Sequence, residues 1–240
     1  MTAGGDRADP AGLEGALTRR RSARGFRPEP IPPADLHRLF AMAQRAPSWC
    51  NVQPWRVWVT SPPATAELSA ALLAAARASL PAPEVPFPGQ YPEPYLTHRR
   101  ACGHALYAAM GIARDDKASR YDAWLRNYAL FDAPHLAVVA QDRVLGQYGT
   151  LDIGVWLGML LSAAAVLGID TCPMASVAAY PGPLRDKLGI PQDLVVLCGV
   201  ALGRADEEAP ANRCRTTREP VDANVTFVDR MCPLPDDGHR

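Results

Sequence analysis

Apolar positions change period along this chain, and the changes mark out alternating helices and strands. Pro32 and Pro33 open the first clear helix. In it Leu36, Leu39, Phe40 and Ala43 recur at i, i+3, i+4 and i+7 and so share one face. Pro47 ends it, because a proline ring pushes the preceding residue out of helical geometry. From Trp55 to Thr60 the period drops to two around Val57 and Val59, as in a half-buried strand. Ala64 to Leu80 is alanine-rich and helical; Arg99 to Gly111, Lys117 to Leu130 and Tyr148 to Gly168 predict further helices. Leu136 to Ala140, and Leu194 to Leu202 closed by Gly203, are unbroken apolar runs suited to strands buried on both faces. Val225 to Val228 predicts a late strand. Upstream, Leu13 to Arg21 leads into a turn through Gly25, and the polar residues 1–12 read as a disordered arm. Residues 13–230 then form a single domain and 231–240 a tail. The alternation places the chain in the α+β or α/β class.

One stretch resists this scheme. Pro81, Pro83, Pro86, Pro88, Pro92 and Pro94 fall within residues 81–95, a density that no helix or strand interior tolerates. A loop this long is either a lid or substrate wall, or a tolerated surface insertion.

Charge and cysteine usage narrow the classes. The chain has 240 residues, with 25 Lys and Arg against 25 Asp and Glu. A formal net charge of zero excludes a global basic field for nucleic acid or anionic membrane, though not a local anion site. Cysteines stand at 50, 102, 172, 198, 214 and 232 with no C-x-x-C pair, so neither a zinc ribbon nor a thioredoxin-type site is expected. The first fifteen residues contain no apolar core of a signal peptide, and reduced thiols and a cytoplasmic location are expected. Ile153 to Ile169 carries no charge, at the lower limit of a membrane-spanning length. Gly154, Gly158 and Gly168 dilute its hydrophobicity, which favours a buried helix of a soluble core or a subunit interface. No Rossmann or P-loop glycine pattern follows a strand, so any dinucleotide binds without a dedicated domain.

Two polar constellations are candidates for chemistry. Arg19-Arg20-Arg21-Ser22-Ala23-Arg24 sets four arginines and a hydroxyl at the start of the folded region. Guanidinium forks bind phosphate bidentately, and two or three suit a terminal phosphate, although a basic run is usually a solvated face. Ala46-Pro47-Ser48-Trp49-Cys50-Asn51-Val52-Gln53-Pro54-Trp55 holds Ser, Asn and Gln between prolines. Such a loop offers hydrogen bonds to a flat heteroaromatic edge, or simply satisfies its own backbone as an Asx or ST turn. His37, His98, His104, His135 and His239 are scattered, and His37 and His135 in particular read as structural.

Taken in order, Arg20-Arg21-Ser22 with Arg24, then Ala46-Pro47-Ser48 with Asn51, Gln53, Pro54 and Trp55, then Leu167-Gly168-Ile169-Asp170-Thr171-Cys172-Pro173-Met174, then Leu188-Gly189-Ile190-Pro191 and Val195 to Gly203, the chain resembles the flavin-dependent nitroreductase family over roughly residues 13–230. The resemblance implies an α+β fold with a central, mostly antiparallel sheet flanked by helices, in an intertwined homodimer with FMN bound non-covalently at the interface. It implies that Arg20, Arg21, Ser22 and Arg24 hold the phosphate, ribityl chain and pyrimidine edge, with Arg24 the candidate for the N1–O2 edge. By the same resemblance Pro47, Ser48, Trp49, Asn51 and Gln53 reach the flavin of the partner subunit. Pro173, Met174, Ala175 and Ser176 lie against the ring, and a basic pair near the C-terminus completes the phosphate clamp. Arg218 with Arg215 best matches that pair, and Arg213 competes. Where some members of the family carry an acidic residue followed by glycine, this chain has Ala175-Ser176, and the segment with the Pro-rich loop and Tyr121 to Phe131 resembles a branch with a longer lid. The implied activity is ping-pong hydride transfer from NAD(P)H through flavin N5 to a nitroaromatic, quinone or similar acceptor, with no protein acid or base. Dehalogenation, flavin fragmentation or biosynthetic oxidation on the same fold, and a non-catalytic flavin-binding protein, are the alternatives.

Overall fold

A computed structural model describes residues 10–229. Its helices are α1 (Pro10–Arg19), α2 (Pro33–Ala43), α3 (Ala64–Ala78), α4 (Tyr95–Ala109), α5 (Lys117–Leu125), α6 (Gly146–Val166), α7 (Pro181–Leu188) and α8 (Val221–Asn224). Its strands are β1 (Arg56–Thr60), β2 (His135–Asp142), β3 (Asp170–Met174) and β4 (Leu194–Gly203). They make one sheet in the order β1-β2-β4-β3, antiparallel at every pairing.

The two central strands explain why their sequences do not alternate. Every residue from Leu136 to Ala140 is fully buried, because helices cover both faces of the sheet. Leu136, Val138 and Ala140 turn to one side and pack in a core with Leu68 and Leu72 of α3 and Leu184 of α7. Ala137 and Val139 turn to the other and meet Leu36 and Leu39 of α2 and Ile153, Trp156 and Leu160 of α6. Trp156 lies between Phe40 and Trp55, with ring centroids at 6.3 and 6.1 Å. Truncating any of these buried leucines to alanine costs about 2–5 kcal/mol.

The outward face of α6 is different. Tyr148, Leu151, Val155, Met159 and Val166 follow helical spacing and stay exposed, as do Leu13 and Leu17 of the adjacent α1. Among the described residues α6 is the helix that is long and apolar enough to span a membrane by length and composition, yet its other face is core.

Several elements differ from the sequence expectation. Asp170–Met174, to which the periodicity assigns no element, is strand β3; Pro173 is tolerated because β3 is an edge. Val225–Val228 forms no strand among the described residues of the single chain, and Phe227 is 79% exposed. α1 begins at Pro10, within the expected arm, while residues 1–9 and the tail 231–240 lie outside the described residues. The Lys117 helix stops at Leu125. Leu130, Phe131 and Asp132 then take left-handed backbone angles (φ 53, 55 and 66°), a turn gripped by the two-pronged pairing of Arg126 with Asp132 at 2.8 and 2.6 Å. The short α7, opened by Pro181 and closed by left-handed Gly189, has no counterpart in the periodicity reading.

Candidate functional site

The arginine-rich segment is placed by the free edge of the sheet. Beyond α1 the chain runs alongside β3, where Ser22 and Thr171 form a parallel bridge and the Ala23 N–H donates to the Thr171 carbonyl at 2.9 Å. Ala23 is fully buried, so its neighbours Ser22 and Arg24 turn the other way. This docking sets the arginines beside the strand that continues into Pro173, Met174, Ala175 and Ser176. Met174 is buried in the core, Ala175 is exposed, and the Ser176 hydroxyl donates to the Asn127 carboxamide oxygen at 3.3 Å.

The C-terminal segment is tied to the same place by one side chain. Asn212, 3% exposed, accepts the Arg24 N–H through Oδ1 at 2.6 Å and donates through Nδ2 to the carbonyls of Gly25 and Asp206, each at 2.8 Å. Gly25 allows the approach: a Cβ there would lie 2.4 Å from the Ala209 Cβ. The Asp206 N–H donates to the Gly25 carbonyl at 3.0 Å, and Phe26 bridges to Ala205. The two ends of the chain are thereby stitched together.

Between them lies a cavity of about 420 Å³, lined by Arg19, Arg20, Arg21, Arg24, Arg215 and Arg218, the hydroxyls of Thr18, Ser22 and Thr216, and two cysteines, Cys102 and Cys214. Arg20 and Arg218 thus share one cavity. Arg213 is exposed and does not line it, whereas Arg215 does, its guanidinium donating to the Asn212 and Cys214 carbonyls at 2.8 and 2.9 Å. A second cavity of about 390 Å³ lies across Arg19, Arg20, Arg21 and Arg215, with Asp170 in its wall. Against these six guanidinium groups, one ion pair exists among the described residues, Arg21 with Glu207 at 2.8 Å. The Arg21 Nε is buried without a partner. A site so unbalanced favours an anion strongly.

The amide loop lies elsewhere in the protomer. Trp49–Asn51 is a short 3₁₀ turn, and Cys50, Asn51 and Gln53 all adopt left-handed φ (50, 56 and 51°). Such backbone persists only when its surroundings impose it. Here Asp152, 9% exposed on α6, accepts the Trp49 N–H at 3.1 and 3.2 Å, and the Trp49 ring rests on Tyr148 one turn earlier, centroids 4.7 Å apart. Ser48 Oγ accepts the Gln53 N–H at 2.9 Å, so this hydroxyl serves its own turn. Trp49, Asn51 and Gln53 stay exposed, and none of the loop lines the arginine cavity.

The Pro-rich segment is anchored through one side chain. Its Glu84 carboxylate accepts hydrogen bonds from Arg185 (2.6 Å), Arg143 (2.9 Å) and the Val196 N–H (3.0 Å), which fixes residues 82–84 to β4 and α7. Burial pushes the Glu84 pKa up, but these donors outweigh it and hold the group below the usual carboxylate range. Asn212, Asp152 and Glu84 carry no sequence signal of their own. Each is a lone polar residue whose role arises from what the fold sets beside it.

The comparisons with known proteins show the family. The profile described as "Nitroreductase family" matches residues 17–204. The chain belongs to the nitroreductase family. It is 32% identical over 214 residues to a 4-nitrobenzoate reductase of Nocardioides sp. (strain LMS-CY), covering 87% of each chain. It is likewise 32% identical over 220 residues to a nitrobenzene nitroreductase of Ectopseudomonas oleovorans, covering 90% of this chain and 96% of that one. Among solved structures, the FMN-dependent nitroreductase NfnB from Mycobacterium smegmatis in complex with NADPH superposes with a TM-score of 0.87 at 30% identity, covering 90% of this chain and 98% of that one.

Proposed function

We propose that this nitroreductase-family chain is an NAD(P)H-dependent FMN oxidoreductase that reduces a nitroaromatic, quinone or similar acceptor by a ping-pong sequence. The observation that carries the reading is the cavity in which Arg20 and Arg24 from one end of the chain meet Arg215 and Arg218 from the other. Its volume lies within the range of small-ligand sites. The residues fit a mononucleotide phosphate: guanidinium groups in excess, hydroxyls of Ser22 and Thr216 beside them, no carboxylate among the described residues of the wall, and an Arg21 Nε left unpaired.

Bound FMN supplies the chemistry, taking hydride from NAD(P)H and passing it to the acceptor. The chain supplies position and charge. Arg20, Arg21, Arg215 and Arg218 hold the phosphate, and Ser22 and Arg24 follow the ribityl chain toward the ring. Pro173 to Ser176, continuing from the strand against which the arginine segment lies, form the wall for the ring. Protons come from solvent or substrate. The exposed stripe Tyr148, Leu151, Val155, Met159 and Val166, with Leu13 and Leu17, supports a homodimer built on α1 and α6. In it the loop of Pro47, Ser48, Trp49, Asn51 and Gln53 reaches the partner's flavin. A cytoplasmic location belongs to the same reading.

The test compares FMN with riboflavin, which lacks the phosphate, in titrations of apoprotein followed by flavin fluorescence. Tight FMN binding and riboflavin binding at least about 100-fold weaker are expected, with Arg20→Ala plus Arg218→Ala removing most of the difference. Equal affinity for the two, or none for either, overturns the proposal. With the loaded protein, bleaching of flavin absorbance by NADPH or NADH and its return on adding 4-nitrobenzoate or a quinone tests the activity.

A further inference from the structure

The two cysteines of the arginine cavity play no part in the reading above. Cys102 belongs to α4, a helix with no fully buried residue. Cys214 follows the 3₁₀ turn Pro210–Arg213 and stands between Arg213 and Arg215. Both side chains line the same cavity. One turn before Cys102, α4 meets the C-terminal segment, where His98 Nε2 lies 2.9 Å from Glu219. Residues four apart share a helix face, so the face that carries Cys102 is the one turned to residues 214–219. Both thiols are free, Cys102 exposed and Cys214 half-buried, whereas Cys172 is buried in the core and the Cys198 thiol is pushed up to about 11 by burial.

We propose that Cys102 and Cys214 are a redox modification site, a dithiol that closes to an intramolecular disulfide and straps α4 across the arginine cavity. The oxidant is a small anionic disulfide of the glutathione class, which the surrounding guanidinium groups attract. The exposed Cys102 thiolate attacks one sulfur of that disulfide, forming a mixed disulfide and releasing one small thiol. Cys214, after losing its proton to solvent, attacks the Cys102 sulfur and releases the second. Two protein thiols lose two electrons and two protons, and the small disulfide is reduced to two thiols. Burial raises the Cys214 thiol above its usual range while Arg24 and Arg215 pull it down, which suits a resolving thiol rather than the first to react.

The bond joins a lightly packed helix to the segment that carries Arg215 and Arg218. If the cavity holds the FMN phosphate, as proposed above, closing the strap slows exchange of the cofactor. The experiment treats FMN-loaded protein with oxidised glutathione, blocks remaining thiols by alkylation, and maps peptides by mass without reduction. A Cys102–Cys214 cross-linked pair, two hydrogens lighter than the free peptides, is expected. FMN release should slow by at least about fivefold, recover with dithiothreitol, and show no oxidation response in Cys102→Ser or Cys214→Ser. Alkylation of both cysteines after oxidation, or glutathione retained on Cys102 without a cross-link, overturns the site. A cross-link with unchanged FMN release overturns the strap. A cross-link in a protein that never binds FMN upholds the modification site and overturns the cofactor reading.

Discussion

The Asn212 side chain accepts the backbone N–H of Arg24 at 2.6 Å, and through that bond the end of the domain sets the register of its beginning. The same carboxamide holds the Gly25 and Asp206 carbonyls. Asn212→Ala leaves these groups buried and unpaired at a cost of about 1–3 kcal/mol. Because Arg24 then loses its fixed backbone, FMN affinity should fall by at least about tenfold, beyond what a distant substitution of equal stability cost produces. Urea unfolding and FMN titration on the same preparations check both effects. Unchanged FMN affinity in a destabilised Asn212→Ala protein shows that Asn212 supports the fold alone.

What could be read from sequence follows from how far each signal reaches along the chain. Leu36, Leu39, Phe40 and Ala43 announce α2 because helical burial is periodic, and the unbroken run from Leu136 announces β2 because both its faces are covered. Pro173 hid β3, since a proline argues against a strand until the strand is known to be an edge. The arginines were visible as residue types, but their meeting across the length of the chain depends on Asn212 and on the close approach at Gly25, neither of which forms a local pattern. The amide loop was visible as composition, and its left-handed backbone was not.

Glu84 anchors the Pro-rich segment, and its removal should loosen that segment without dissolving the fold. Its carboxylate is mostly buried between Arg185, Arg143 and the Val196 N–H. Glu84→Gln keeps the shape and one acceptor but loses the charge, for an expected loss of about 2–3 kcal/mol. Hydrogen exchange should accelerate at the amides of Ala82, which donates to the Ala179 carbonyl, and Val196. The pKa of Glu84 is depressed, so its contribution is present above the ordinary glutamate value of 4.5 and is lost as pH falls through the lower folded value. The wild-type and Glu84→Gln unfolding midpoints should therefore converge at acid pH; a gap that stays constant from pH 7 to pH 3 counts against the ion-pair account.

Asp152 is expected to matter for turnover more than for cofactor retention. It holds the Trp49 amide, and hence the exposed loop of Asn51 and Gln53, on the end of α6. Asp152→Ala frees a loop whose left-handed residues each cost on the order of 1–3 kcal/mol and which relaxes once released. Since that loop is proposed to reach the partner's flavin, kcat/KM should drop by at least about tenfold while the arginine cavity still holds FMN. Asp152→Asn, which retains an acceptor oxygen, should recover most of the loss. Loss of FMN in step with activity places the effect in folding or dimer formation instead.

His135 gives the fold a second dependence on acid. It is 1% exposed, its Nε2 accepts the Ile31 N–H at 2.9 Å, and its Nδ1 therefore carries the proton and faces the Thr60 carbonyl at 3.1 Å. A second proton would need the place of the Ile31 N–H, and burial alone already pushes the pKa below the ordinary 6.5. The unfolded chain takes up this proton near pH 6.5 and the folded chain does not, so the contribution is complete above that pH. It is then lost as the pH falls toward the depressed folded value, at up to about 1.4 kcal/mol per pH unit. His135→Gln, though less stable at pH 7.5, should lose less stability than wild type between pH 7.5 and pH 5.5 in urea unfolding. Equal losses over that interval would mean that protonation of His135 takes no part in the acid sensitivity.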